Sequence, residues 1–220
     1  MHMKTFLFRV RIYFLCVVAC AAFSFASTAH ANYFDASTTE SGNLTPFKKW
    51  TETIIRTKAQ LGRLDIDCGK ESYHSCAVPD WKRLITEVET ESLDDKLAAI
   101  NDWGNAHTYI VDQLNWGMVD YWETPYEFIA FNGDCEDYAI AKYYSLRAAG
   151  VPENQMRIII VQDFNLGGII HAILGVYEGH TLWILDNQIK QVVKADSIYH
   201  YKPVYAVNEN KWWRYTPNAE

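Results

Sequence analysis

Gly150-Val151-Pro152 divides this chain into two kinds of apolar periodicity, and that division constrains its fold more than any other feature. Before the tripeptide, apolar residues recur every three or four positions; after it they come in short runs broken by turn residues. Thr45-Pro46 reads as an N-cap and first-turn proline ahead of Phe47, Trp50, Ile54 and Leu61. Pro79-Asp80 opens a second helix with Trp81, Leu84 and Val88 on one face. Ser92 and Asp95 form a capping box before a third, whose stripe runs through Leu97, Ile100, His107, Val111 and Leu114. A fourth helix starts near Asp134, continues through DCEDYAIAKYYSLRAA and stops at Gly150 and Pro152. The runs RIIIVQDF, IIHAILGVY, TLWILD, KQVVKA, KPVYAVN and KWWRY then read as strands of an antiparallel meander. The pattern predicts an α+β fold with N-terminal helices packed on an antiparallel sheet.

The first 31 residues stand apart. Lys4, Arg9 and Arg11 lead into the apolar run IYFLCVVACAAFSFA, and Ala29-His30-Ala31 supplies the small residues of an A-x-A cleavage site. This predicts a signal peptide over residues 1–31 and one mature domain over 32–220, exported to the periplasm. VVAC ending at Cys20 offers a rival parse as a lipoprotein signal, but apolar residues continue past it and a good A-x-A follows. The mature chain has no second long apolar run, so no direct membrane insertion is expected after cleavage. Of 20 basic and 27 acidic residues in the whole chain, three basic ones leave with the signal, so 17 face 27, a net charge of −10. Such a surface repels phosphate backbones, and nucleic acid is not an expected partner.

Three cysteines remain in the mature chain, Cys68, Cys76 and Cys135. Cys68 and Cys76 lie in the loop-like stretch DCGKESYHSC, where they can close a small disulfide in an oxidising compartment. With Asp67, His74 and Asp80 nearby they can instead be metal ligands, although the regular C-x-x-C spacing is missing. Cys135 is the odd one out, either a buried small hydrophobe or a nucleophile. Its position favours the second reading: unpaired N–H groups and the positive end of the dipole in the first turn of a helix stabilise a thiolate. Its flanks, Asn132-Gly133-Asp134 and Glu136-Asp137, are also unusually polar for a core filler.

A thiol needs a base, and His171 sits inside the otherwise apolar run GIIHAILGVY. If Gly179-His180 is a two-residue hairpin turn, Glu178 faces Thr181 and Asp186 falls opposite Ile173, on the face that carries His171. Asp186 is then in reach of the imidazole. A slip of one residue would send it to the other face.

A helix-borne Cys, a strand-borne His and an Asp on the next strand resemble the arrangement of papain-like and transglutaminase-like hydrolases. The run WETPYEFIAFNGDCEDYAIAKYYSLRAAGVP with the IIHAILGVY and WILDNQ strands resembles more closely the bacterial transglutaminase-like cysteine proteinases, over about residues 45 to 215. That resemblance implies a papain-like, transglutaminase-like cysteine proteinase fold with Cys135 as nucleophile, His171 as general base and acid, and Asp186 as its orienting partner. It further implies a periplasmic endopeptidase that cleaves the N-terminal region of a large surface adhesin, beside a pair of small residues. Its implied partner is the periplasmic domain of an inner-membrane cyclic-di-GMP receptor, which holds the protease and releases it for biofilm dispersal.

The acids beside Cys135 pose a physical problem. Asp134, Glu136 and Asp137 are like charges that raise a neighbouring thiol's pKa. A bound cation removes the conflict, and hard carboxylate oxygens suit calcium better than zinc. The resemblance supports calcium at Asp134 and Glu136, with Asp137 as a third candidate; the alternative is a solvated acidic helix start. For the oxyanion, the Cys135 N–H is one candidate donor, and Asn115 or Trp116 a second. Other functions consistent with the same residues are a transglutaminase, a murein endopeptidase or a non-catalytic periplasmic binding protein.

Overall fold

The computed structural model describes residues 34, 36–61 and 77–218, all within one compact unit, Ala31–Glu220. The predicted signal peptide, with Cys20, and the Cys68–Cys76 pair lie outside the described residues. The elements run β1 (Ala36–Ser41), α1 (Lys48–Leu61), α2 (Ala77–Val88), α3 (Leu93–Asn105), α4 (Asp112–Asn115), α5 (Pro125–Phe131) and α6 (Cys135–Ala148). They continue as β2 (Met156–Asp163), β3 (Ile169–Glu178), β4 (Thr181–Leu185), β5 (Val193–Lys194), β6 (Tyr201–Val207) and β7 (Trp212–Pro217).

The strands form one antiparallel sheet in the order β1-β7-β6-β2-β3-β4-β5. The meander therefore holds only from β2 to β5. The chain then returns to pair β6 with the free side of β2, which leaves β2 and β3 central. Both central strands are apolar on both faces, which is why RIIIVQ and HAILGV read as nearly continuous apolar runs. One face packs Ile158, Ile160, Leu174 and Val176 against Ile140, Tyr143 and Leu146 of α6 and Trp50 of α1. The other gathers Ile159, Val161, Ile173, Ile184 and Trp213. With the sheet on one side and α3 and α5 on others, α6 is buried nearly all round from Asp137 to Leu146, and no amphipathic stripe survives in its sequence.

Two helical expectations need correction. α1 begins at Lys48 rather than at Pro46, because Asn43 Oδ1 holds Thr45 in a turn. The third helix stops at Asn105 instead of continuing to Leu114. The segment beyond it is pulled into tertiary pairing: Tyr109 bridges Gly133 in parallel, Ile110 N–H donates to Gly133 O at 2.9 Å and Thr108 N–H to Asn132 Oδ1 at 3.1 Å. Leu114 consequently lies 79% exposed on the one-turn α4 instead of in the core. Two further elements escape the sequence reading. β1 is a polar edge strand, ASTTES, with no alternating apolar signal. α5 carries a capping box at Thr124 and Glu127 with proline at its start, a signal present in TPYE but shorter than a periodic stripe.

Candidate active site and cation-binding cluster

The chain enters α6 through a backbone that few residues tolerate. Asn132 has a positive φ of 60°, which Asn accepts more readily than most side chains. Gly133 follows, and a Cβ there would stand 2.4 Å from Asp137 Oδ2. Asp137 needs that space because its oxygens accept the Glu123 N–H at 2.8 Å and the Asp134 N–H at 3.0 Å. The turn thus places Cys135 as the first residue of α6, half-buried, with its N–H among those lacking an intrahelical partner. Gly133→Ala is expected to lower stability by about 1–3 kcal/mol through overpacking, and chemical denaturation would measure it; a loss of under about 0.5 kcal/mol would show that Asp137 can give way.

The β3–β4 hairpin has the expected register, with Glu178 opposite Thr181 and Leu174 opposite Leu185. Asp186 follows directly on β4, and its Oδ1 lies 2.9 Å from His171 Nε2. Both side chains are almost fully buried. Asp186 Oδ1 also accepts the Gln188 N–H at 2.9 Å, and Oδ2 accepts the Tyr201 hydroxyl at 2.6 Å. Burial alone would raise the Asp186 pKa; the bond and charge of His171, the Gln188 N–H and Tyr201 outweigh it and hold the carboxyl below the usual range. An acceptor-only carboxylate on Nε2 fixes the imidazole tautomer with its proton there. Nδ1 is left as the basic nitrogen, 3.3 Å from the Gln188 side-chain amide. Next in the chain, the Ala172 N–H lies near enough to the Cys135 sulfur to favour its thiolate, and Cys135 packs against the cluster that includes Ala172, so the strand that carries His171 abuts the thiol. Sequence reasoning singled out Cys135, His171 and Asp186, and missed Tyr201 and Gln188, whose contacts with Asp186 and His171 depend on the return of β6 and the path of the loop after β4.

The thiol itself donates to Glu136 Oε2 at 3.1 Å. Burial, the charge of Glu136, that hydrogen bond and the charge of Asp134 push its pKa far up, against a smaller opposing effect of the Ala172 N–H. Glu136 is pushed up to about 9 by burial and by Asp134. Asp137 is also raised, by burial and then by Glu123 and Glu136. The protein thus concentrates carboxylates where water cannot stabilise them.

Two acids outside the α6 turn join this cluster. Asp112, the buried first residue of α4, and Asp120 each lie where one oxygen can meet Glu136 at a common point, while Asp112, Asp134 and Asp137 form an overlapping set. Asp112 Oδ1 and Asp134 Oδ1 are buried without a hydrogen-bond partner. Burial raises the Asp112 pKa to about 6, against the Tyr121 N–H and with the charges of Asp134 and Asp120. Orphaned, hard oxygen donors converging from three segments fit a divalent cation of the calcium type. Asp134 and Glu136 belong to the converging donors. Asp137 stands at their edge with one backbone N–H on each oxygen, and so also acts as the brace of the turn.

Both candidates for the second oxyanion donor already hold partners. Asn115 Nδ2 donates to Asn132 O at 3.0 Å, and Trp116 Nε1 to Glu123 Oε1 at 2.6 Å. Their backbone N–H groups are taken up by Val111 O and Asp112 O.

Residues 66–219 match the family described as bacterial transglutaminase-like cysteine proteinase (BTLCP). The chain belongs to that family. This transglutaminase-like cysteine proteinase is similar to calcium-bound Legionella pneumophila LapG, with 28% identity over 74% of this chain and 86% of that one and a TM-score of 0.61. The EGTA-treated form of Legionella pneumophila LapG matches at 28% identity over 74% of this chain and 84% of that one, with a TM-score of 0.60. No curated protein sequence matches. The family membership makes the chain a cysteine peptidase with the mixed helical and antiparallel-sheet architecture expected of it.

Proposed function

We propose that this chain is a calcium-dependent periplasmic cysteine endopeptidase that cleaves the N-terminal region of a large surface adhesin. The observation that carries the catalytic part is the abutment of a helix-start thiol on the strand whose histidine is clamped by a buried aspartate. In this reading His171 Nδ1 takes the Cys135 proton, and the sulfur attacks the substrate carbonyl carbon. The Cys135 N–H faces the developing oxyanion. Nδ1 returns its proton to the leaving amine, a thioester remains, and water attacks it with His171 again as base. Asp186 stays ionised throughout and stabilises the imidazolium.

The cation would be held by Asp112, Asp134 and Glu136, with Asp120 and Asp137 adjoining. It would supply positive charge that offsets the carboxylates around the thiol and competes for Glu136, the present acceptor of the Cys135 proton. Calcium is supported by the donor chemistry and by the likeness to a protein seen both calcium-bound and EGTA-treated.

The substrate and its control rest on the family resemblance: an exported adhesin processor held by the periplasmic domain of an inner-membrane cyclic-di-GMP receptor. Ile169 and Ile170, exposed just before His171, and Tyr109, exposed on the loop paired with the Cys135 turn, supply apolar contacts for an extended peptide. Mature protein incubated with N-terminal fragments of candidate adhesins and calcium is expected to give two products whose masses sum to substrate plus one water. With a primary amine added, a product whose mass is substrate plus amine minus one ammonia would assign transferase activity instead, and no product from any fragment would remove the adhesin reading.

A further inference from the structure

Lys142 is fully buried on α6, two turns beyond Cys135. Its ammonium is held by two side-chain amides of α3, Asn101 Oδ1 at 2.9 Å and Asn105 Oδ1 at 2.6 Å. The lysine lies across α3 at Gly104, where an added Cβ would come within 2.6 Å of its Cε. Burying an amine is costly, and an apolar side chain of similar length would fill the space without that cost. Here burial drives the Lys142 pKa down to about 7, opposed by the charges of Asp186 and Asp102.

The arrangement beyond the lysine explains what the charge does. Asn105 Nδ2 donates to Asp186 O at 2.9 Å and to Ile189 O at 3.3 Å, while Asn101 Nδ2 donates to Lys190 O at 2.9 Å. An ammonium only donates, so it forces both amides to turn their oxygens inward and their NH2 groups outward. Outward lie the carbonyls of the loop that starts at Asp186. An amide released from the lysine could flip and set its oxygen against those carbonyls. The same loop supplies both oxygens of Asp186 and the Gln188 groups that meet Asp186 and His171.

We propose that Lys142 is a positioning residue for the active site: it locks the Asn101 and Asn105 amides in the orientation that grips the Asp186–Lys190 loop. It thereby ties the helix bearing the thiol to the loop bearing the acid. The role rests on the Cys135–His171–Asp186 reading and acts through Asp186, remote from substrate.

Alkylation of Cys135 by iodoacetamide tests this without a substrate. The rate is followed from about pH 5 to about pH 9 in calcium-containing buffer, beside thermal melting, because thiolate formed by pairing with imidazole reacts below the ordinary thiol range. His171→Ala should lose the low-pH limb. Lys142→Met should move toward that profile, its rate near neutrality falling by as much as about 100-fold, as small misplacements of catalytic groups do. Asn105→Asp keeps oxygens for the ammonium but removes the NH2 that grips the loop, and should reproduce the shift in a folded protein. If Lys142→Met fails to fold, Asn105→Asp decides. A wild-type alkylation profile for Asn105→Asp, even with a lowered melting point, overturns the positioning role alone. A wild-type profile for His171→Ala overturns the triad, and the role of Lys142 with it.

Discussion

Cys135→Ala is expected to leave no measurable peptide-bond cleavage, because among the described residues Cys135 is the one thiol that can form the acyl intermediate. His171→Ala should cost about as much, on the order of a million-fold in kcat, and Asp186→Asn roughly ten-thousand-fold, by the behaviour of other nucleophile–histidine–acid triads. The geometry gives the reason for the smaller third value. Asn at position 186 keeps the shape and can still accept from Tyr201, but it can present an NH2 to Nε2 and so stabilise the wrong imidazole tautomer. Asp186→Ala is a harsher change: His171 Nε2, the Gln188 N–H and the Tyr201 hydroxyl would all lose a buried acceptor. Each stranded donor costs about 1–3 kcal/mol, so this variant should be poorly stable as well as inactive. On the proposed triad the combined effects should be far from additive, because residues that act as one unit lose their function together. Steady-state kinetics on a cleaved adhesin fragment, with circular dichroism to establish folding, provides the check. Full turnover by folded Cys135→Ala would end the cysteine-peptidase mechanism at this site.

Removing calcium should be nearly as damaging and should be reversible. A chelator is expected to stop cleavage, and calcium to restore it far better than magnesium, which demands stricter octahedral geometry and dehydrates reluctantly. Asp112→Asn and Glu136→Gln should mimic the chelator. Asp112 is the sharper test, since it lies outside the turn that carries the thiol. Stability should report the same site. In the calcium-free protein the folded pKa values of Asp112, about 6, and Glu136, about 9, exceed the ordinary carboxyl range. The native state therefore holds protons that the unfolded chain has released, and this contribution, complete below about pH 4, is lost as pH rises through those folded values. The melting temperature of chelated protein should fall across that window. Calcium at about 100 times its Kd would add roughly 2.7 kcal/mol, and its advantage should widen with pH as protons cease to compete. A chelated protein with full activity and a flat melting profile would leave the acids as helix-start charges.

The division at Gly150-Val151-Pro152, the start of α6 at Cys135 and the β3–β4 register were legible because each rests on local chemistry: periodicity, a helix-start signal and a two-residue hairpin. The same register puts His171 and Asp186 on one face without help from any long-range contact. Residues 106–111 depart from their sequence pattern for the opposite reason. Their spacing suits a helix, but pairing with Gly133 offers their backbone better partners, and tertiary hydrogen bonds override propensity.

The acids show where local reading stops. Asp134 and Glu136 are visible beside the thiol, whereas Asp112 and Asp120 join them only because α4 and its following loop fold back over the start of α6. Lys142 offers no signal at all in DYAIAKYYS, since a lysine on a helix is ordinarily solvated; only the packing of α3 across α6 buries it and turns its charge on two asparagines. Adjacency along one helix or across one hairpin follows from residue order alone, because those distances are set by backbone geometry. Which acids converge on one point and what grips the Asp186 loop depend on the closed fold, because those distances involve segments that meet only when the core forms.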